Sequence, residues 1–289
     1  MRRTLAWGVV VMAVVMWAAM PVYGVSITPN MNAAQLADAV TAWGGAGLTV
    51  TGETLDANIS ATGGAVSSGT YSLTALPDVY GILRPGIVLS TGDVAAYATG
   101  PNIYTGLTTD YGTSATAAQE ALLDPITGGS YDHNDVTQLD LTFDVALGHD
   151  MVYFEVVFGS EEYPEWVGEE FVDGFGLYLN GVNIADAGGN PVNIDHPDMA
   201  AIAGTELDGV LALDGNPLML FSAPVTPGST GNTLTFILAD TSDYAYDTTV
   251  FISAFGASEP VNPIPEPATV LLLGGVLAGA VIRRVRRRR

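Results

Sequence analysis

Acidic side chains are concentrated in two short stretches of the 289-residue chain. The first stretch lacks Lys and Arg and contains Glu161, Glu162, Glu165, Glu169, Glu170 and Asp173. The second stretch, "ADTSDYAYD", contains Asp240, Asp243 and Asp247. Two carboxylates held about 4 Å apart repel each other by about 4 kcal/mol at an effective dielectric constant of about 20. Hydration, protonation or a bound cation must therefore relieve the repulsion within each stretch.

Calcium suits these oxygen atoms, since it takes about six to eight carboxylate, carbonyl and water ligands. Loops that are distant in sequence can meet at one end of a β-structure. The expected ligands are then Glu161, Glu162, Asp173, Asp240, Asp243 and Asp247. We expect such an ion to be structural rather than catalytic. The alternative is a solvated acidic surface, because the sequence contains neither an EF-hand loop nor a glycine–aspartate calcium repeat.

Signatures of catalysis are weak. The sequence has no Gly-x-Ser-x-Gly motif, and its histidines are His133, His149 and His196. A zinc site built from all three is an alternative, but no His-x-x-x-His pair on a helix supports it. Glutamate pairs occur in glycosidases, yet any acidic protein offers such pairs. The sequence therefore favours a protein that is not an enzyme, with a secreted hydrolase as an alternative.

Aromatic side chains lie within the same acidic stretches, among them Tyr163, Trp166, Tyr244 and Tyr246. An aromatic face beside a carboxylate suits a sugar, which presents both an apolar face and hydroxyl groups. Trp166 is the candidate for contact with carbohydrate, so a calcium-assisted carbohydrate-binding module is the main alternative function. The opposing interpretation is that these rings fill the core of the fold.

Composition narrows the range of partners. The formal net charge is −22, and the chain contains no Cys and no Lys. Between the two ends, Arg84 is the single base among 30 acids, since Glu266 is the one acid of the 31 that lies in the C-terminal tail. Binding to nucleic-acid phosphates is excluded by this balance. Disulfides and cysteine-bound metals are excluded as well. We expect cations or neutral surfaces as partners.

The pattern of apolar residues predicts a β-rich domain. Thr137–Leu147 alternates apolar and acidic or polar residues, and Met151–Phe158 is rich in β-branched and aromatic residues. Asn180-Gly181 and Asp214-Gly215 are typical of hairpin turns. Further strands are predicted at 232–240 and 248–257, and helices at 33–43 and 116–123. The predicted fold is mainly β, a β-sandwich of jelly-roll type with a short N-terminal helix.

Both ends of the chain differ from the acidic body. Arg2 and Arg3 precede an apolar run and small residues, which predicts a signal peptide over residues 1–24. At the other end, an uncharged segment over residues 268–282 precedes six arginines within the final seven residues. This order predicts a transmembrane helix whose arginines stay in the cytoplasm. An ordinary C-terminal membrane anchor would look the same except for the residues before it.

Those residues are Pro265, Glu266 and Pro267. A Pro-Glu-Pro tripeptide, an apolar span and a terminal arginine cluster together resemble the PEP-CTERM sorting signal of Gram-negative bacteria. The resemblance implies that an exosortase, a membrane transpeptidase, recognises the tripeptide and cuts near it. The protein would then pass through an inner-membrane intermediate to the cell surface or the extracellular space.

The body carries a second resemblance. "VYFEVVFGSEEYPEWVGEEFVDGFGLYLNG" (Val152–Gly181) is similar to the central signature of the choice-of-anchor L family, and blocks at 86–102 and 238–252 are similar to its flanking blocks. Gly159 stands where the family usually has alanine, a conservative change. Val172 stands where the family usually has asparagine, which removes one candidate oxygen ligand. The resemblance does not supply an activity.

These observations divide the chain into a signal peptide (1–24), a β-sandwich domain (25–258), a linker (259–264) and a sorting signal (265–289). The predicted protein is exported, processed by an exosortase and placed on the cell surface or in the extracellular matrix. Its expected role is structural or adhesive, in a biofilm matrix that offers exopolysaccharide as a partner.

Overall fold

The structure, a computed structural model, describes residues 24–74, 78–129 and 131–260. The β-rich prediction is confirmed. The strands are β1 Val25–Pro29, β2 Leu48–Asp56, β3 Ser68–Leu73, β4 Gly86–Ser90, β5 His133–Val145, β6 Met151–Ser160, β7 Gly174–Leu179, β8 Val182–Asn183, β9 Asp186–Ala187, β10 Asn190–Asn193, β11 Met199–Ala200, β12 Gly209–Leu211, β13 Met219–Pro224, β14 Asn232–Thr241 and β15 Thr248–Gly256. The helices are α1 Ala33–Thr41, α2 Ala117–Thr127 and a 3-10 helix, Val94–Tyr97.

The strands form two antiparallel sheets. The first has the order β1-β3-β4-β15-β6-β12-β11, with β13 also paired to β6. The second has the order β2-β5-β14-β7-β10-β9, with β8 also paired to β7. Strands β14 and β15 follow each other in sequence but lie in different sheets, so the chain crosses between the layers after residue 241. Two antiparallel sheets are as predicted, and the more specific jelly-roll connectivity stays a prediction.

One apolar core lies between the sheets. The inward residues of β5 and β6, such as Phe143 and Phe154, pack in a single cluster with Phe236 of β14 and Phe255 of β15. The rings of Phe154 and Phe255 are stacked, with centroids 4.9 Å apart. Period-2 alternation along β5 places its apolar side chains on this face, as the sequence predicts. The shared core fixes the two sheets relative to each other.

Both predicted helices are present with shifted ends. Helix α1 ends at Thr41, so Trp43 lies beyond it and is 54% exposed. Helix α2 runs four residues past the predicted Leu123 because Pro125 is tolerated near its end and Gly128 closes it in a left-handed conformation. Thr116 caps its start through a reciprocal capping box. Helix α2 covers the outer face of the second sheet.

The predicted turns are both present, with positive φ at Asn180, Gly181, Asp214 and Gly215. The first joins β7 to β8 in a hairpin, as predicted. The second joins β12 to β13, but these strands do not pair with each other as a hairpin. Both pair with β6 instead, and a single bridge, Leu213 to Asn216, spans the turn.

Several predictions fall outside the described residues. These are the signal peptide apart from Gly24, most of the linker, the Pro-Glu-Pro tripeptide Pro265–Pro267 and the transmembrane helix at 268–282. Within the residues that the structure describes, no helix is both long and apolar enough to span a membrane.

Candidate metal centre

Four strand ends place the acidic side chains at one end of the two sheets. Glu161 and Glu162 directly follow β6, and Asp247 directly precedes β15, which pairs with β6 at Ser160. In the other sheet, Asp173 directly precedes β7 and Asp240 lies near the end of β14, whose Ala239 pairs with Gly174. The two acidic stretches therefore meet, as expected for loops at one end of a sandwich.

Asp173 connects the two sheets through hydrogen bonds. Its Oδ1 accepts from the backbone N–H of Thr241 in the second sheet, at 2.8 Å. Its Oδ2 accepts from the hydroxyl of Thr248 in the first sheet, at 2.7 Å. Asp247 is held similarly, since Oδ1 accepts from Thr109 N at 2.9 Å and Oδ2 from the hydroxyl of Tyr97 at 3.1 Å. These bonds fix two of the six predicted ligands.

Glu162 and Asp240 are fully buried and lack comparable partners. Both carboxylate oxygens of Glu162 are buried and accept no hydrogen bond within the described ranges. Asp240 is buried as deeply, and the side chain of Thr91 is the hydrogen-bond partner that lowers its pKa against the effect of burial. Burying a carboxylate without hydrogen bonds or a counter-charge is costly. Glu162 and Asp240 each lie near Asp173 and have fewer hydrogen-bond donors than Asp173 or Asp247.

The pKa values of these carboxyl groups reflect the same problem. Burial, followed by the charges of Asp173 and Asp243, raises the pKa of Glu162 to about 10. Burial is also the largest cause that raises the pKa of Asp240 and of Asp173 well above the usual range. The pKa of Asp247 rises to about 6, again chiefly through burial. Burial therefore opposes ionisation of Glu162, Asp173 and Asp240, whereas Asp247, with a pKa of about 6, is mostly ionised at neutral pH.

In the described part of the chain, no lysine or arginine forms an ion pair with these carboxylates. Arg84 is the single Lys or Arg between residues 24 and 260. It forms a buried ion pair with Glu155 of β6, which also accepts from the hydroxyl of Ser253 at 3.1 Å. The charge of Arg84 is thus paired with a carboxylate outside the acidic cluster.

The carboxylate oxygens of the six predicted ligands lie farther apart than the oxygen atoms around a bound calcium ion. Calcium–oxygen distances of about 2.4 Å require any two ligand atoms to lie within about 4.8 Å of each other. In the described part of the chain, the group of three acidic or histidine side chains that satisfies this limit is Glu120, Asp124 and His133. Calcium binding would therefore have to draw the side chains of Glu162 and Asp240 inward.

Two of the predicted ligands, Glu161 and Glu162, lie beside different groups of residues. After burial, the charges of Asp173 and Asp243 raise the pKa of Glu162. For the neighbouring Glu161, the charge of Asp208 is the largest cause after burial. Glu161 accepts from the backbone N–H of Leu107 at 3.3 Å, on the side of the 102–109 segment. The adjacent residues Glu161 and Glu162 thus have different neighbours in the fold. Asp243 is partly exposed at the margin of the cluster.

The carboxylate of Asp247 lies very close to the backbone of Gly92. A Cβ atom at Gly92 would lie 1.6 Å from Asp247 Oδ2, so the carboxylate occupies the space that any side chain would need. Gly92 lies in the "STGD" turn after β4, far from Asp247 in sequence. Sequence analysis did not single out this residue, because only the fold brings the two together.

Asp135 is a further buried carboxylate that sequence analysis missed. It is fully buried and accepts from the backbone N–H groups of Tyr111 and Thr113 at 2.8 and 2.9 Å. Its charge contributes to the raised pKa of both Asp240 and Asp247. A positive φ of 45° at this residue has no sequence signal beyond the known tolerance of Asp for that conformation.

Trp166 lies beside the cluster in a packed position. It is half-buried. The centroid of its ring lies 5.1 Å from that of Phe171, which it meets edge-on, and 6.1 Å from that of Tyr246. Its indole N–H is buried without a hydrogen-bond acceptor among the residues that the structure places. The predicted contact with carbohydrate stays a prediction.

The three histidines lie apart from one another. His133 contacts Glu120 at 2.5 Å, His149 contacts the carbonyl oxygen of Ala257 at 3.0 Å, and His196 contacts that of Ala187 at 2.7 Å. Within the described ranges, no pair of these histidines shares a group of close metal ligands. The alternative of one zinc site from all three has no geometric support.

Two known protein families match parts of this chain. The choice-of-anchor L domain family matches residues 26–208, and the PEP-CTERM protein-sorting motif matches residues 263–288. The chain therefore belongs to the choice-of-anchor L family and carries a PEP-CTERM sorting motif. A search of curated proteins found no match.

Both resemblances inferred from the sequence are thus confirmed. The sorting motif marks the chain for secretion and for processing at the membrane on the way to the cell surface. The family match ends at residue 208, although β13, β14 and β15 beyond it complete both sheets. Gly159, where the family usually has alanine, is tightly packed here, since a Cβ atom would lie 2.6 Å from the carbonyl oxygen of Gly209.

Proposed function

We propose that this chain is a non-catalytic surface or matrix protein whose extracellular β-domain is stabilised by a structural calcium ion. The observation that carries the proposal is the fully buried carboxylate of Glu162, which has no hydrogen-bond donor among the described residues, together with the fully buried Asp240. Asp173 lies among them and joins the two sheets. An ion bound here would hold the same two sheets together.

Calcium accounts for the cluster better than protonation alone. Protonation would neutralise each carboxyl, but a protonated carboxyl still carries a donor that needs an acceptor. A divalent cation satisfies several oxygen atoms at once and needs no further acceptor. Secretion favours calcium among the hard cations, because the extracellular space is where weakly binding calcium modules function.

Burial argues against catalysis at this cluster. Glu162, Asp173 and Asp240 are each 0% exposed, so a polymeric or small substrate has no access to their carboxyl groups. A general acid must reach the proton acceptor on its substrate at hydrogen-bond distance. The two family matches also describe anchoring and sorting rather than a reaction.

The surface charge suggests how the protein meets a matrix. With 30 acids and one base in its body, the protein would repel acidic polymers unless cations bridge them. Neutral exopolysaccharide, or acidic exopolysaccharide bridged by calcium, therefore fits the proposed adhesive role. We place the protein on the surface of a Gram-negative cell, which it reaches after processing at the membrane.

Thermal unfolding of the full chain in mild detergent, with calcium and with a chelator, tests the calcium proposal. A ligand that binds the native state alone stabilises it by about 2.7 kcal/mol at a concentration about 100 times its Kd. We expect calcium to raise the melting temperature by several degrees and the chelator to reverse the rise. Identical melting curves would refute a structural calcium ion. Asp214→Asn, which removes an exposed carboxylate in a turn, serves as the matched control.

A further inference from the structure

A groove of about 560 Å³ lies beside the acidic cluster, between residues 101–105 and residues 201–208. Its walls include the apolar side chains of Ile103, Ile202 and Leu207. Ile103 is 69% exposed and the neighbouring Tyr104 is 63% exposed. Asn102 and Asp208 supply polar groups to the same lining. The groove thus combines an open apolar rim with polar side chains that the cluster around Asp240 does not use.

The polar groups are fixed by hydrogen bonds that leave oxygen atoms unused. The side-chain amide of Asn102 donates to Asp208 Oδ1, and Gly106 N donates to Asp208 Oδ2 at 3.2 Å. The amide oxygen of Asn102 is buried, and no described residue donates a hydrogen bond to it. A buried carbonyl-type oxygen without a donor is uncommon in native proteins.

Glu161 adds a second unused oxygen behind this pair. The residue is 1% exposed, Oε2 accepts from Leu107 N, and Oε1 is buried with no N–H donor in the described ranges. The side chain of Asp208 lies within hydrogen-bond reach of Glu161. After burial, the charge of Asp208 is the largest cause that raises the pKa of Glu161 to about 8. Asp208 and Glu161 also accept from adjacent backbone N–H groups, those of Gly106 and Leu107, which places the two carboxyl groups next to each other.

We propose that Asn102 and Asp208, which line this groove, and Glu161, which lies behind them, bind a second divalent cation of the calcium class. The set offers two carboxylates and a neutral amide oxygen, which are the ligand types that calcium prefers. It shares no side chain with Glu162, Asp173 and Asp240, so the two ions would bind independently. The inference extends the proposed calcium function but does not depend on the inner ion.

The position in the groove distinguishes this ion from the inner one. Asp208 and Asn102 are partly exposed, whereas Glu162, Asp173 and Asp240 are fully buried. Three protein side chains leave several of the roughly six to eight calcium positions for water or for hydroxyl oxygens of a ligand in the groove. We therefore expect the groove ion to exchange readily.

Calorimetric titration with calcium alone tests the proposal on the full chain in mild detergent, after removal of metal with a chelator. The variants are Asp208→Asn, Asn102→Ala and Asp240→Asn, with Asp214→Asn as the matched control. Circular dichroism checks that each variant is folded. We expect the wild type and the control to bind two calcium ions per chain. Asp208→Asn should bind one ion fewer. Asn102→Ala should bind the same ion with an affinity about tenfold lower, a change of about 1.4 kcal/mol in binding free energy.

The outcomes separate the two sites. If Asp208→Asn and Asn102→Ala bind calcium as the wild type does, the groove site is refuted. A single ion that is lost in Asp240→Asn alone refutes the groove site and leaves the proposed function standing. A single ion that is lost in Asp208→Asn alone supports the groove site and refutes the structural inner ion. No binding to the wild type refutes both.

Discussion

A buried carboxylate without a donor is among the most costly groups that a folded chain contains. In this protein, Glu155 has both Arg84 and Ser253 as partners, and Asp173 has two donors. Glu162 lies equally deep and has no donor among the described residues, and Asp240 has the side chain of Thr91. This contrast with Glu155 and Asp173 is the reason for the calcium proposal.

Asp240→Asn should reverse the usual effect of changing a buried polar residue. Without calcium, the substitution removes one of the mutually repelling charges and leaves a neutral amide, whose burial costs less than that of an ion. We expect a higher melting temperature than that of the wild type in chelator and a smaller rise on adding calcium. Differential scanning calorimetry measures both. A variant that is less stable than the wild type in chelator, with an unchanged response to calcium, would contradict the prediction.

Gly92→Ala should be strongly destabilising. The new Cβ would lie 1.6 Å from Asp247 Oδ2, which forces the carboxylate or the turn to move. Overpacking of this kind costs about 1–3 kcal/mol. Urea denaturation measures the loss. Gly64→Ala is the control, since a Cβ there has no atom within 4 Å and the residue has no positive φ. Equal stability of the two variants would show that the approach of Gly92 to Asp247 is unimportant.

At the scale of elements, local patterns predicted most strands, because alternation in β5 and the β-branched run in β6 depend on neighbouring residues alone. The positions of the acidic stretches followed from the same patterns. The meeting of β6 and β15 with β7 and β14 at one end did not, since it depends on pairings between residues up to about a hundred positions apart. The different directions of Glu161 and Glu162, and the roles of Gly92 and Asp135, follow from those pairings and had no local signal.

The segment 106–113 is an element held in place by carboxylates. Its backbone N–H groups donate to Glu161, Asp247 and Asp135. Asp135→Asn keeps the volume and tolerates the positive φ, but one acceptor oxygen becomes a donor that opposes a backbone N–H. Leaving a buried donor unsatisfied costs about 1–3 kcal/mol.

We therefore expect Asp135→Asn to speed amide hydrogen exchange in a peptide that covers residues 106–113. Mass spectrometry of the exchanged protein measures the change, with Asp214→Asn as the matched control. Exchange in β14, which lies in the centre of the second sheet, should change less. Uniform acceleration across the domain would show that Asp135 acts on global stability rather than on this segment.

At the scale of the whole molecule, the distribution of charge separates the sorting apparatus from the cargo. Six of the nine arginines lie in the last seven residues, and the sorting motif covers residues 263–288. Glu266→Ala removes the charged centre of the Pro-Glu-Pro tripeptide, so we expect the chain to remain membrane-associated with its arginines attached. Intact-mass measurement of membrane and surface fractions tests this, with Glu259→Ala as the control. Normal release of the Glu266 variant would contradict recognition of the tripeptide.

The stability of the whole domain should depend on pH differently with and without calcium. The folded-state pKa values of Glu161 and Asp247, about 8 and about 6, lie above the ordinary carboxyl value. Such groups contribute stability that is complete below the ordinary pKa and is lost as the pH rises through the folded pKa. In chelator, we therefore expect the melting temperature to fall between about pH 5 and about pH 8. Calcium competes with protons for the same oxygens, so its stabilising effect should grow over this range. Melting curves at several pH values, with and without calcium, measure both slopes. A calcium effect that is equal at both ends of the range would show that calcium does not bind these carboxylates.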